Sequence, residues 1–413
     1  MNPDPLRLIA FFLTQFHPIA ENDAWWGPGF TEWTTATRAR PLFPGHYQPH
    51  LPADLGFYDL RVAETRRRQM AMARAAGLAG FCYYYYWFSG RRLLERPLEE
   101  MFADPASDLP YCLCWANESW TRRWNGSEHE VLMHQRYLPE DDVRFMQDIE
   151  RFLLDERYIR VDGKPLLMVY RPQQMPHALR STEAWRAWWR SRGHGELHLV
   201  AALTHGNREF ATLGFDAGAE FPPHNLQARS INSSLSFFED FTGTAVAYEE
   251  AATSYLDRPQ SGPVYRGVFP SWDNTARVKS RSTIFLGGTP ANYEFWLRCA
   301  VERTRRERQG DQQIVFVNAW NEWAEGCHLE PDQRYGSAFL EATQRVKQGR
   351  SAAIAFEPQP VAANSEEERG FFKDLGHVLR YHLARRLGHA RLFVNRHPRL
   401  KSVLLAVAGR FSR

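Results

Sequence analysis

AGFCYYYYW, residues 79–87, has no polar face. A strand with one side in water alternates apolar and charged residues, whereas a parallel strand covered on both sides by helices reads as a continuous apolar run. Seven further runs share this character: LIAFFLTQF (8–16), PYCLCWA (110–116), PLLMVYR (165–171), LHLVAAL (197–203), AGAEF (217–221), VYRGVFP (264–270) and QIVFVNAW (313–320). Between them the spacing of apolar residues predicts helices over 59–77, 93–103, 141–158, 181–192, 290–308 and 334–349. Val143, Met146, Ile149 and Leu153 mark one apolar face, and Tyr335, Phe339, Leu340 and Val346 another. Gly77 and Gly193 stand where two of these helices should stop. Eight such strands with interleaved helices predict an α/β fold, a (β/α)8 TIM barrel over residues 1–350. A doubly wound sheet would need a glycine fingerprint, and neither G-x-G-x-x-G after a strand nor G-x-x-x-x-G-K-[ST] occurs. Two long loops, 17–58 and 224–262, fall on the C-terminal face of the barrel, where function concentrates.

The 413 residues include no stretch of 18 apolar residues, so no membrane-spanning helix is expected. Met1 to Leu13 lack a basic leader and a cleavage site, and the five cysteines form no C-x-x-C pair, which together predict a reducing, cytoplasmic setting. The formal charge of +3 is an average of two unlike parts. Residues 369–413 carry 11 Lys/Arg against one acid, Asp374, leaving 40 basic and 47 acidic side chains in 1–368. A mildly acidic body is not that of a nucleic-acid binder. Residues 351–368 (SAAIAFEPQPVAANSEEE) read as a linker. Beyond them Leu375, Leu379, Leu383 and Leu387 recur every four residues among arginines. That pattern predicts a basic amphipathic helical extension, either peripheral at an anionic inner-membrane surface or packed under the barrel.

In a barrel of this kind the reacting groups stand at the C-terminal ends of the strands. Those ends hold Gln15, His17, Tyr86, Trp87, Trp115, Asn117, Glu118, Tyr170, Arg171, Thr204, His205, Glu220, Trp272, Asp273, Asn318, Asn321, Glu322 and Glu325. Carboxylates and amides suit sugar hydroxyls, and indole planes suit the C–H faces of sugar rings. Ten of the 14 tryptophans lie at strand ends or in the following loops, which predicts a sugar-binding mouth and not core filling.

The sharpest motif is VNAWNEWAEGCHLEP (317–331), with Glu322 and Glu325 three residues apart beside Trp320 and Trp323. Glycosidic bond cleavage needs one carboxyl to protonate the leaving oxygen and a second to supply or activate the nucleophile. A neighbouring indole desolvates a carboxyl and raises its pKa, as an acid working near neutrality requires. The same glutamates could instead pair with Arg334 or cap the last helix. CWANESW (114–120) offers Glu118 as a reserve catalytic carboxylate, or as a salt-bridge partner of Arg122 or Arg123. WWGPGFTEW (25–33) presents Trp25, Trp26, Glu32 and Trp33 from a turn stiffened by Pro28 and two glycines, as a sugar subsite or as a plug over the barrel. Asp273 reads as a binder of substrate hydroxyls. The expected sugar-binding set also takes in Gln15, His17, Tyr86, Trp87, Trp115, Asn117, Tyr170, Trp272, Asn318, Trp320, Asn321 and Trp323. No metal and no cofactor are expected. H-E-x-x-H, G-x-S-x-G and the D-x-D of many metal-dependent nucleotide-sugar transferases are absent, and His17, His46 and His50 read as hydrogen-bonded side chains.

Seven segments together resemble the WbsX family of bacterial polysaccharide-biosynthesis proteins: QFHPIAENDAWWGPGFTEW (15–33), HYQPHLPADLGFYDL (46–60), GFCYYYYWF (80–88), CWANESW (114–120), RYIRVDGKPLLMVYRP (157–172), SWDNTAR (271–277) and VNAWNEWAEGCHLEPD (317–332). The N-E-W-x-E-G segment and the barrel are similar to glycoside hydrolase family 99, the endo-α-1,2-mannosidases. The resemblance implies a carbohydrate-active enzyme of lipopolysaccharide O-antigen or capsule assembly, acting on an oligosaccharide or lipid-linked glycan. It implies Glu325 as general acid/base and Glu322 acting on the 2-hydroxyl, so that O2 attacks the anomeric carbon and configuration is retained through a 1,2-anhydro sugar. Hydrolysis and transfer both remain open. So do two readings of other classes, a non-catalytic glycan-binding assembly factor and a transferase using a nucleotide-sugar donor.

Overall fold

Eight parallel strands run in a closed ring: β1 (Arg7–Phe12), β2 (Gly80–Phe88), β3 (Tyr111–Trp115), β4 (Lys164–Val169), β5 (His198–Leu203), β6 (Ala217–Glu220), β7 (Val264–Val268) and β8 (Ile314–Val317). Each pairs with its neighbour in sequence, and β1 closes the ring between β2 (Ile9 opposite Gly80) and β8 (Ala10 opposite Val317). The computed structural model describes residues 4–122 and 127–357. The basic extension 369–413 expected from the sequence lies outside the described residues.

The tyrosine run shows how one strand serves two environments. Side chains alternate across a strand. Tyr83 and Tyr85 point outward, Tyr83 against Phe12 (rings 4.6 Å apart) and Tyr85 against Phe145 and Phe152, with its hydroxyl bonded to Asp148. Tyr84 faces the barrel axis, where Phe11 lies 5.9 Å from it and packs in turn on Phe221 and Phe316. Strand β1 ends at Phe12, short of the apolar run to residue 16, because the Leu13 N–H and C=O are both taken by the Asn321 side chain (2.7 and 3.0 Å). Gly80 is required at the start of β2, since a Cβ there would stand 2.4 Å from the Pro110 carbonyl.

The outer layer consists of α1 (Ala63–Ala75), α2 (Arg96–Ala103), α3 (Asp141–Leu153), α4 (Ala178–Ser191), α5 (Tyr248–Leu256), α6 (Pro290–Glu307) and α7 (Ala338–Lys347). Only a single turn, Ala211–Leu213, follows β5. Gly77 and Gly193 adopt φ of +83° and +82° where α1 and α4 stop, as the sequence predicts. Two expectations need correction. The 224–262 segment is not a continuous loop: it contains α5 and the strand Thr244–Ala247, which pairs in parallel with Thr283–Leu286 outside the barrel. Helix α5 buries Tyr248, Ala251, Ala252 and Tyr255, a face whose small alanines give a weak hydropathy signal. On α3 the buried stripe is Phe145, Met146, Ile149, Phe152 and Leu153, and Val143 stands outside it at 41% exposure.

Residues 351–357, in the stretch read as a linker, run along α6. Arg298 Nε donates to the Ala353 carbonyl (2.8 Å), and Asn292 exchanges two bonds with the Glu357 backbone. Among the described residues no helix is long and apolar enough to cross a membrane, and all five cysteines are free thiols.

The two faces of α3 predict opposite outcomes for truncation. Met146→Ala should lower unfolding stability by about 2–5 kcal/mol, as expected for emptying a packed core position. Val143→Ala should stay within about 0.5 kcal/mol. Urea denaturation of both variants checks this.

Candidate active site

Three loops meet over the C-terminal mouth. The chain leaves β8 through a cis Asn318–Ala319 peptide, and Trp323–Glu325 then form one helical turn ended by Gly326 in the left-handed region (φ +56°). A Cβ on Gly326 would lie 3.0 Å from the Asp273 carbonyl, so the turn packs against the segment after β7 with no room to spare. The Asp273 N–H donates to the Glu325 carbonyl (2.7 Å), and Ser271 Oγ to the Gly326 carbonyl (2.6 Å). From the other side Glu32, after β1, accepts from the Ala324 N–H (2.9 Å).

This scaffold gathers three carboxylates on one guanidinium. Arg277 Nη2 donates to Glu32 Oε1 (3.0 Å) and Glu322 Oε2 (2.7 Å), and Nη1 to Glu325 Oε1 (2.6 Å). One cation cannot neutralise three buried anions, which works against ionising Glu322 and Glu325 together. Burial pushes Glu322 up to about 8, with Glu325 and Glu32 adding to the rise and Arg277 opposing it. Burial raises Glu325 as well, again against Arg277. Glu32 is wholly buried, whereas the Glu325 side chain keeps 19% of its surface. Tyr86 and Tyr84 line the same space, their hydroxyls held protonated by burial and by the charge of Glu322.

The structure brings Glu322, Glu325, Glu32 and Tyr86 together, as the motifs suggest, and Arg277 takes the place foreseen for Arg334. Gln15 extends toward Glu32 Oε2 at 3.5 Å. Glu118 is bound by Arg171 Nη1 at 3.0 Å and keeps 30% of its side chain exposed. Tyr170 stands between the two regions: its hydroxyl is raised by burial and then by Glu118 and Glu325, and it bonds to His224 (2.9 Å).

Several residues expected to hold sugar are buried and bonded within the protein. Trp87, Trp115, Trp320 and Trp323 are at most 3% exposed and belong to the core. The Trp115 indole donates to the Trp87 carbonyl (3.1 Å), and Trp323 to Glu330 (2.7 Å). Trp33 is buried, with its indole donating to the Tyr58 carbonyl (2.8 Å) and its ring packed on Phe16, Tyr58 and Trp323. The amides of Asn117 and Asn321 are consumed by the backbone, Asn117 joining the β3 end to Arg171 and Asn321 joining the β8 end to Leu13. Asn318 Nδ2 donates to the Pro222 carbonyl (2.8 Å). His17 is buried and bonded to the Thr14 carbonyl (3.2 Å). Asp273 is buried against His46, whose Nδ1 accepts from the Leu42 N–H, so that Nε2 donates to the carboxylate. That bond and the Thr275 N–H hold Asp273 low despite burial. Trp272 is buried beside it.

The aromatic surface left at the rim is a smaller part of the one expected. Trp120 packs edge-on against Trp25 (5.9 Å) and Tyr86 (5.2 Å), and Trp26 stacks on Phe30 (5.8 Å); all four of Trp25, Trp26, Tyr86 and Trp120 keep part of their surface. Sequence reasoning missed Arg277. The signal was available: several acids at strand ends require a base, and Arg277 closes the SWDNTAR motif directly after β7.

Comparison with known proteins bears on the family and the fold. A family model described as glycosyltransferase WbsX matches residues 8–343. The uncharacterized protein WxcX of Xanthomonas campestris pv. campestris is 44% identical over 344 residues, in each of two strains. The match takes in 83% of this chain and 50% of WxcX, so the chain spans about half the length of the curated relatives it matches. Among solved structures, a glycoside hydrolase-like protein shares the fold with a TM-score of 0.54 at 15% identity, over 83% of this chain and 94% of that one. The GH99 endo-alpha-mannosidase from Bacteroides thetaiotaomicron does so with a TM-score of 0.51 at 13% identity, over 84% and 98%. With the family match running through nearly the whole described barrel, the chain belongs to the WbsX glycosyltransferase family.

Proposed function

We propose that this protein is a carbohydrate-active enzyme of bacterial surface-polysaccharide assembly, cleaving or transferring a glycosidic bond with Glu322 and Glu325. The observation that carries this reading is the pair itself: two neighbouring carboxyls, both raised by burial, on one guanidinium at the mouth of a (β/α)8 barrel. A pair that keeps one proton supplies one acid and one base, which is what glycosidic chemistry asks of two carboxyls. In the resting site burial favours the proton on Glu322. A sugar 2-hydroxyl donating to Glu322 favours its ionised form and sends the proton to Glu325, which then protonates the leaving oxygen. O2, relieved of its proton by Glu322, attacks the anomeric carbon as the leaving bond breaks. Water or a second sugar opens the resulting 1,2-anhydro ring, with Glu325 now taking its proton as base and Glu322 returning a proton to O2. Trp25, Trp120 and Tyr86 offer the rim on which sugar rings can stack.

The charge of the mouth favours a glycan donor over a nucleotide sugar. Among the described residues of the site, four acids (Glu32, Glu118, Glu322 and Glu325), one of them keeping a proton, face two guanidiniums, Arg171 and Arg277, both already engaged by those acids. A diphosphate would enter against that balance.

Glu325→Gln should abolish turnover of the producing organism's oligosaccharide or lipid-linked glycan while binding stays measurable, with products followed by mass spectrometry. Turnover within tenfold of the parent would remove Glu325 from this role and promote Glu118. The pH profile gives a second test. Loss of the last proton of the pair removes the acid, so kcat/KM should fall as pH rises through about 8. Arg277 lowers both carboxyls, so Arg277→Gln should move that limb to higher pH; an unmoved limb would count against the pair.

A further inference from the structure

A second polar site lies beneath the carboxylate cluster. His50, from the loop after β1, meets His328 and Asp332, from the segment after β8. All three are buried, and one ligand atom from each lies within 4.8 Å of the others. His50 Nδ1 is 2.9 Å from His328 Nε2, and Asp332 Oδ2 is 3.9 Å from the same Nε2. Asp332 Oδ1 accepts from the Arg334 and Tyr335 N–H groups (2.9 and 2.6 Å). Its other oxygen, Oδ2, is buried, with the Tyr47 hydroxyl beside the carboxylate. A bond between the two imidazoles consumes one N–H and gives Oδ2 no imidazole donor.

The site is also built to aim its donors. His328 Nδ1 is bonded to the Glu330 carbonyl (3.0 Å), which turns Nε2 toward His50 and Asp332. A backbone carbonyl orients metal-bound histidines in this way. The two contributing segments are pinned to each other by Ala53 N–H to the Pro331 carbonyl (3.0 Å) and Gln333 N–H to the Leu51 carbonyl (2.9 Å).

We propose that His50, His328 and Asp332 bind a divalent metal ion of the zinc type. Two imidazole nitrogens and one carboxylate oxygen are a borderline donor set that suits zinc better than magnesium or calcium. Tetrahedral zinc separates two such nitrogens by about 3.3 Å, so the histidines need part by only a few tenths of an ångström. The ion clamps the loop after β1 to the segment after β8. His328 stacks face to face on Trp323 (3.8 Å, 13°), and Trp323 opens the turn that carries Glu325. The role is therefore structural support from below, and it stands apart from the reaction assigned to the glutamates.

Elemental analysis of the purified full chain, dialysed against metal-free buffer, should find close to one zinc per chain. Asp332→Asn, which keeps shape and volume, and His50→Gln should each bring this below a tenth. Zinc chloride added to chelator-stripped protein should raise Tm by several degrees in the parent and leave Asp332→Asn unchanged. Cobalt chloride should give the visible bands of a tetrahedral site in the parent alone. If the stripped parent shows neither the Tm rise nor the bands, the histidines form only a hydrogen-bonded pair and the proposal fails. None of these readouts depends on turnover, so this outcome and that of the Glu325→Gln test are separable.

Discussion

Arg277 is the constraint on which the mouth of the barrel depends. Its guanidinium draws Glu32 from the loop after β1 and Glu322 and Glu325 from the segment after β8 onto the segment after β7. A carboxylate that is fully buried, like Glu32, persists only when paired and hydrogen-bonded, and Glu32 obtains both from Arg277 and the Ala324 N–H. Removing the arginine would strand three acids in a dry site; removing Glu32 would free the turn that carries Glu325. The arrangement is therefore a single electrostatic object whose parts cannot be assigned separate energies.

Two asparagines perform the complementary task with neutral groups. A backbone that leaves a strand loses its ladder partners, and those groups must be satisfied elsewhere. Asn321 takes both polar groups of Leu13, while Asn117 takes the Arg171 N–H and C=O. Each amide thus joins the ends of two adjacent strands, β8 to β1 and β3 to β4, where the chain turns out into functional loops. Their position directly before a glutamate explains why they read as ligands: the motif holds the clamp and the acid together.

The barrel was legible because its signal is repeated eight times, and no local misreading of an end could undo the count. The carboxylate pair was legible because it is contiguous in sequence. What escaped the sequence depends on side-chain direction. Tryptophans at strand ends look like a sugar platform, yet Trp87, Trp115, Trp320 and Trp323 turn back into the core, while Trp25 and Trp120 stay at the rim. Val143 shares the helical spacing of α3 but misses its buried arc, and α5 was hidden because alanine carries little hydropathy. Partners distant in sequence were hidden for the same reason: nothing local links Arg277 to Glu32, or His50 to His328.

Trp320 and Trp323 flank Glu322 in sequence and are sealed in the core on either side of it, so the backbone between them has little freedom. Burial is the largest cause of the raised pKa at both Glu322 and Glu325, and it requires that water not follow the carboxyls inward. Burial and the Arg277 guanidinium therefore act on the pair in opposite directions, and Glu322 and Glu325 stay raised because burial is the larger cause at both.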